Sequence, residues 1–185
     1  LHLEIRVLKK EVIVITGGPG TGKSTIIDAL IEKGYSCYPE ISREVTLEAK
    51  RQGVDQLFLT EPLLFSQMLL DGRIKQFQNA QQEESTLVFI DRGLPDILAY
   101  MHFIGDDYPD HFDHTCHESR YTKVFVLPPW EEIYESDEAR YENFEQAKII
   151  YDHLKETYAK YGYSLIEVPI GTVDDRVLYI LNHLK

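Results

Sequence analysis

Gly17-Gly18-Pro19-Gly20-Thr21-Gly22-Lys23-Ser24-Thr25 is the stretch with the most specific chemistry in the chain. An anion cradle must turn several backbone N–H groups toward one point, and Cβ atoms at its tight positions would block the approach. The spacing G-x-x-x-x-G-K-[ST] meets that requirement. Gly18, Pro19, Gly20, Thr21, Gly22, Lys23, Ser24 and Thr25 are accordingly expected to bind a nucleoside triphosphate, ATP or GTP, as co-substrate. Lys23 would supply charge to the outer phosphates and Ser24 a hydroxyl for Mg²⁺. A helix beginning near Lys23 would add its unpaired N–H groups and positive dipole end.

Two further charged groups stand where strands are expected to end. Asp91 and Arg92 follow the apolar run Leu87-Val88-Phe89-Ile90, and Glu40 follows Tyr35-Ser36-Cys37-Tyr38 and Pro39. In an open parallel sheet ligands bind beyond the carboxyl ends of the strands, so these are candidate site residues. Asp91 is in place to hold Mg²⁺ opposite the glycine loop, with capping of the next helix as the plain alternative. Arg92 could reach a transferring phosphoryl group or pair with Asp96 at i+4. Glu40 has the chemistry of a general base for a substrate hydroxyl, and Arg43 could clamp an anionic or ribose-bearing acceptor. Asp137 and Arg140 lie in a segment, about 129–146, expected to form a lid. A lid arginine would neutralise charge on the transferred group, whereas an exposed i,i+3 ion pair is the bland alternative.

The elements that must position these groups follow from periodicity. Val12-Ile13-Val14-Ile15 leads into the glycine loop as a strand, and Ile27, Leu30 and Ile31 mark the helix after it, ending near Lys33-Gly34. Thr60-Glu61-Pro62 starts a long helix reaching about Glu84, with Leu63, Leu70, Ile74 and Phe77 on its core face. Leu94, Ile97, Leu98 and Met101 follow Asp91-Arg92-Gly93 at helical spacing. Val124-Phe125-Val126-Leu127 is a fourth strand, stopped by Pro128-Pro129 and followed by an acid-rich stretch from Glu131 to Glu145. Phe144, Ala147, Tyr151, Leu154 and Tyr158 mark another amphipathic helix. Leu165-Ile166-Glu167-Val168 is the last strand. Thr172 and Asp175 cap a final helix bearing Val173, Val177, Ile180, Leu181 and Leu184. This alternation implies a three-layer α/β fold, a five-stranded parallel sheet with helices on both faces. The nucleotide base is expected near Val168 to Thr172.

At 185 residues the chain is most simply one domain, 1–185. No apolar run reaches the length of a membrane span, and the first apolar run is a strand rather than a signal peptide. Leu1 stands where a start methionine would be, which leaves an upstream extension open. A formal charge of −12 argues against a general nucleic-acid partner. Cys37 and Cys116 give no disulfide framework, and a cytoplasmic location is expected. His111, His114, Cys116 and His117 could ligate zinc as residue types. Their spacing matches no familiar ligand pattern, and on a helix Phe112 and Cys116 would face inward while the histidines fan outward.

With these pieces placed, the sequence resembles a small P-loop family described as an AAA-type ATPase domain but built like a nucleoside or nucleotide kinase. Relatives of that family include the ribosylnicotinamide kinase domain of the bacterial NAD-biosynthesis regulator and an insect photoreceptor-trafficking protein. The resemblance rests on residues 17–25, Pro39-Glu40-Ile41-Ser42-Arg43-Glu44, Asp91-Arg92-Gly93-Leu94-Pro95-Asp96, Asp137-Glu138-Ala139-Arg140, Val168-Pro169 and Val173-Asp174-Asp175-Arg176. Pro39-Glu40 is similar to the strand-end glutamate of deoxynucleoside kinases, and Asp91-Arg92 to the acid-arginine pair of those enzymes and of thymidylate kinases. The resemblance implies a Mg²⁺-dependent transfer of the γ-phosphoryl group to a small, nucleoside-like acceptor. Lys23, Glu40, Asp91, Arg92 and Arg140 would be catalytic, Glu40, Arg43 and Arg92 would bind the acceptor, and Ser24 and Asp91 would be on the metal side, with exchanged roles for Glu40 and Asp91 as the alternative. The alternative is an ATPase- or GTPase-type switch that binds a lipid surface or a protein partner. No helical lid domain of a ring-forming motor is evident.

Overall fold

In the computed structural model, which describes residues 8–134 and 142–185, five parallel strands form one sheet in the order β2-β3-β1-β4-β5. They are β1 (Glu11–Gly17), β2 (Ser36–Tyr38), β3 (Leu87–Asp91), β4 (Lys123–Leu127) and β5 (Leu165–Glu167). The central strands read as continuous apolar runs because both faces are covered, and alternate side chains serve different cores. Val12 and Val14 of β1 join Val88 and Ile90 of β3 and Val124 of β4 on one face. Ile13, Ile15, Phe89, Phe125 and Leu127 point to the other.

The second face is covered by α1 (Lys23–Glu32) and α8 (Val173–Asn182), which supply Ile26, Ile27, Leu30, Val177 and Ile180. The first is covered by α2 (Ser42–Arg51), α3 (Leu57–Thr60), α4 (Pro62–Gln82), α5 (Leu94–Ile104), α6 (Asp110–Glu118) and α7 (Phe144–Lys160). The connection leaving β1 therefore runs over one face and that leaving the adjacent β3 over the other. Strand order and connections thus open a crevice at the carboxyl ends of β1 and β3, the usual ligand position in such sheets.

The expected elements are present with small changes at their ends. β2 starts at Ser36 rather than Tyr35, β5 stops at Glu167, and α4 ends at Gln82. Leu63, expected on the core face of α4, is 43% exposed, because the buried stripe of that helix runs through Leu69, Arg73, Gln76 and Ala80. Val173 is likewise a partly exposed first-turn residue of α8, while Val177 and Ile180 are buried. Thr172 caps α8 by accepting from the Asp175 N–H at 3.1 Å. Among the described residues, no helix is long and apolar enough to cross a membrane.

Candidate active site

The glycine loop leaves β1 at Gly17 and enters α1 at Lys23, with Gly20 at φ 71° and Gly22 at φ 84°, left-handed values that favour glycine. A Cβ on Gly18 would stand 3.2 Å from the Ala147 carbonyl oxygen, so the loop packs against the first turn of α7. Two hydroxyls brace it from within. Thr21 Oγ1 donates to the Gly18 carbonyl at 3.1 Å, and Thr25 Oγ1 to the Gly22 carbonyl at 2.8 Å. The backbone N–H groups of Thr21, Gly22, Lys23 and Ser24 bond to no acceptor among the described residues, as an anion cradle requires.

Asp91 ends β3 directly beside Ile15 of β1, which places its carboxylate against this loop. Its Oδ1 accepts a hydrogen bond from Lys23 Nζ, and both side chains are at least nine-tenths buried. Burial and the neighbouring Arg92 push the Lys23 ammonium below its ordinary pKa, while Asp91 and Glu40 oppose that shift. Ser24 lies on the first turn of α1 and is exposed. The Ser24 hydroxyl and the Asp91 carboxylate are the hard oxygen donors that Mg²⁺ prefers, so the residues present fit that ion.

Glu40, just past β2, is held from three directions. Its Oε1 accepts from the Ser42 N–H at 3.0 Å and from Arg73 Nη2 at 3.0 Å, and its Oε2 lies 2.7 Å from Arg92 Nε. Burial alone would raise the Glu40 carboxyl, but Arg73, Arg92, Lys23 and the Ser42 N–H together hold it down at about 2. An acid group whose pKa falls on folding adds stability above its unfolded value and loses that contribution as pH drops toward the folded one. The Glu40 contribution is therefore complete above about pH 4.5 and disappears toward about pH 2. Urea titrations at stepped pH are expected to show a flatter acid limb for Glu40→Gln than for the wild type.

Arg92 pairs with Glu40 rather than closely with Asp96, whose Oδ1 is 3.8 Å from Nη1. Its backbone is left-handed at φ 68°, unusual for a side chain of this size and a local strain that neighbours must offset. The Arg92 N–H bonds to the Ile15 carbonyl at 3.0 Å, the Gly93 N–H to Asp96 Oδ2 at 2.9 Å, and the Leu94 N–H to Tyr121 Oη at 3.1 Å. The hydroxyls of Thr16 and Tyr158 also donate to Asp96, which is buried. A Cβ on Gly93 would fall 2.7 Å from Tyr158 Oη and 2.9 Å from Tyr121 Cε2. Gly93→Ala is expected to cost about 1–3 kcal/mol in chemical denaturation, because a packed turn must shift to admit the methyl group.

A cavity of about 750 Å³ runs from Pro19 of the glycine loop past Glu40 and Arg92 and out between α2, α3, α4, α5 and α7. Phe58, Phe65, Leu69, Ile97 and Tyr100 give it an apolar wall, and Arg43 and Lys50 stand at its exposed side. Arg43 therefore lines the same space as Glu40 and Arg92. Arg140 and Asp137, with the other residues of 135–141, lie outside the described residues, whereas Glu131–Ile133 form a short 3-10 turn and the end of the expected lid segment, from Phe144, is the first turn of α7. His111, His114, Cys116 and His117 share α6 but do not converge. Cys116 is buried beside Phe112, His111 Nε2 bonds with Gln67 Oε1 at 2.6 Å, and His117 faces Asp113 at 3.5 Å. No metal-ligating cluster occurs among the described residues.

Sequence reasoning did not single out Arg73, which is 3% exposed and bridges Glu40 to the Gly93 carbonyl. Its signal was available, since Leu69, Arg73, Gln76 and Ala80 share one helical face and a cation on an apolar face demands a buried partner.

A family model described as an AAA domain matches residues 12–176. No curated protein matches the chain. Among solved structures, deoxyadenosine kinase from M. mycoides, with dCMP and dCDP bound, superposes at a TM-score of 0.69 with 20% identity, covering 94% of this chain and 98% of that one. Thymidylate kinase from Candida albicans gives 0.67 at 15% identity, covering 95% of this chain and 91% of that one. A NadR protein in complex with NR gives 0.69 at 16% identity; 95% of this chain is covered but only 50% of the NadR chain, so this chain spans about half its length. At these identities the likeness is one of fold, a nucleotide-kinase-like α/β architecture.

Proposed function

We propose, for a chain that belongs to the AAA domain family of its matching model, a Mg²⁺-dependent small-molecule kinase that takes the γ-phosphoryl group of ATP or GTP. The observation that carries this reading is the cavity joining Pro19 of the phosphate loop to the Glu40–Arg92 pair. A nucleotide switch needs a cradle and a responsive surface, whereas a kinase also needs a second, shaped chamber ending at the terminal phosphate. About 750 Å³ with an aromatic wall and a few convergent polar groups suits a nucleoside-sized acceptor.

In this reading the loop N–H groups and Lys23 hold the triphosphate, and the nucleotide base rests near Val168 to Thr172. Ser24 and Asp91 would hold Mg²⁺, which would supply positive charge to offset that of the phosphates. Glu40 receives the acceptor hydroxyl proton at one of its carboxylate oxygens, and Arg92 faces the space where the transferred group must pass. Arg43 steers the acceptor, and Arg140 closes the site from the 129–146 lid. A carboxyl at about 2 is a weak base, which suits a loose transition state in which the hydroxyl proton leaves late. The single domain, 1–185, and a cytoplasmic setting complete the reading.

A nucleoside, nucleotide and vitamin panel tested with MgATP and MgGTP is expected to give one acceptor class whose phosphorylated product forms far faster than free phosphate. Slow hydrolysis indifferent to every acceptor would instead favour the switch, with a lipid or protein as its partner.

A further inference from the structure

Arg176 of α8 lies behind the phosphate loop, on the side away from the acceptor cavity, and is 3% exposed. Its Nη1 donates to the Thr21 carbonyl at 2.8 Å and its Nε to the Pro169 carbonyl at 3.1 Å, and the guanidinium sits 5.6 Å from the Trp130 ring centre. Its Nη2 is buried with no hydrogen-bond partner among the described residues. No carboxylate pairs with Arg176 among the described residues. Burial pushes its pKa down.

A buried cation without a counter-charge is expensive, and chains usually keep one only where something else neutralises it. We infer that Arg176 is a second, indirect cation of the nucleotide site, whose missing counter-charge is the polyphosphate tail itself. This rests on the reading that the glycine loop holds a triphosphate. The coupling runs through one peptide unit. By donating to the Thr21 carbonyl, Arg176 polarises the Thr21–Gly22 amide and strengthens the Gly22 N–H as a donor toward the anion. The same contact explains the fit at Gly22, where a Cβ would stand 3.0 Å from Nη1. Arg176 is thus a positioning residue that acts on the phosphates through the loop, in addition to tying the loop to the segment after β5.

The test compares Arg176→Met and Arg176→Lys with the wild type, using thermal melting without ligand and calorimetric titration with MgATP and with inorganic tripolyphosphate. The Met variant is expected to melt no lower than the wild type yet bind both ligands at least about tenfold more weakly, since an unpaired buried charge has been removed. If the Met variant also melts lower, the Lys variant decides. Recovery of tripolyphosphate binding with the charge supports the inference, and no recovery overturns it. Unchanged affinities, or a loss confined to MgATP while tripolyphosphate binds normally, would likewise overturn it, the latter pointing to the base side. A wild type that binds neither ligand would remove the nucleotide reading itself.

Discussion

Replacing Glu40 by glutamine is expected to lower phosphoryl transfer by about 10²- to 10⁴-fold while leaving MgATP or MgGTP binding nearly intact. Glutamine keeps an oxygen for the Ser42 N–H and for Arg73 but cannot take a proton from the acceptor. The effect should fall on kcat rather than on the nucleotide KM, because Glu40 faces the acceptor cavity and not the loop N–H groups. Since the carboxyl sits at about 2, Glu40 contributes no acid limb to the rate profile near neutrality. Rates measured across pH for wild type and variant should run parallel there. Transfer that survives the substitution would remove Glu40 from the role of base.

Lys23→Met should have an effect on two separate quantities. Transfer is expected to fall by about 10²- to 10³-fold or more, as when a preorganised charge is withdrawn from a developing anion. Stability should fall by about 3–5 kcal/mol, because Asp91 is left buried without its cation. The double variant Lys23→Met with Asp91→Asn separates the two. Removing both charges should restore most of the stability in denaturant titrations while activity stays lost. A double variant as unstable as the single one would mean that Lys23 packs the loop through its alkyl stem rather than compensating Asp91.

The sequence was most legible where one physical requirement dominates. Val12 to Ile15, Leu87 to Ile90 and Val124 to Leu127 are apolar on both faces, and the structure places all three in the middle of the sheet. The glycine loop declares itself because backbone approach to an anion tolerates few alternatives. Asp91, Arg92 and Glu40 were found by position, since strand ends in an open parallel sheet point into one crevice. Helix α2 was missed because it buries only Ala49, so no apolar stripe marks it. The partners of Arg73, and the Asp96–Thr16–Tyr158 cluster, escaped for the opposite reason. They join residues 20 to 80 positions apart, and hydrogen bonds across that distance leave no local pattern.

Contacts of the same long reach set the electrostatics of Glu40. Its depressed pKa comes from Arg73 on α4 and Arg92 after β3, neither adjacent in sequence. Arg43, by contrast, is exposed and shares only the cavity with the other candidates. Its substitution should therefore alter acceptor selectivity more than turnover.

Every role assigned to these residues requires a triphosphate seated on the N–H groups ahead of α1, within reach of Lys23 and Asp91. Calorimetric titration of the wild-type chain with MgATP and MgGTP tests this most directly. Saturable binding of at least one of them is expected, with one nucleotide per chain, strongly weakened by Lys23→Met. Failure of the wild type to bind either nucleotide, or binding that Lys23→Met leaves unchanged, would contradict it.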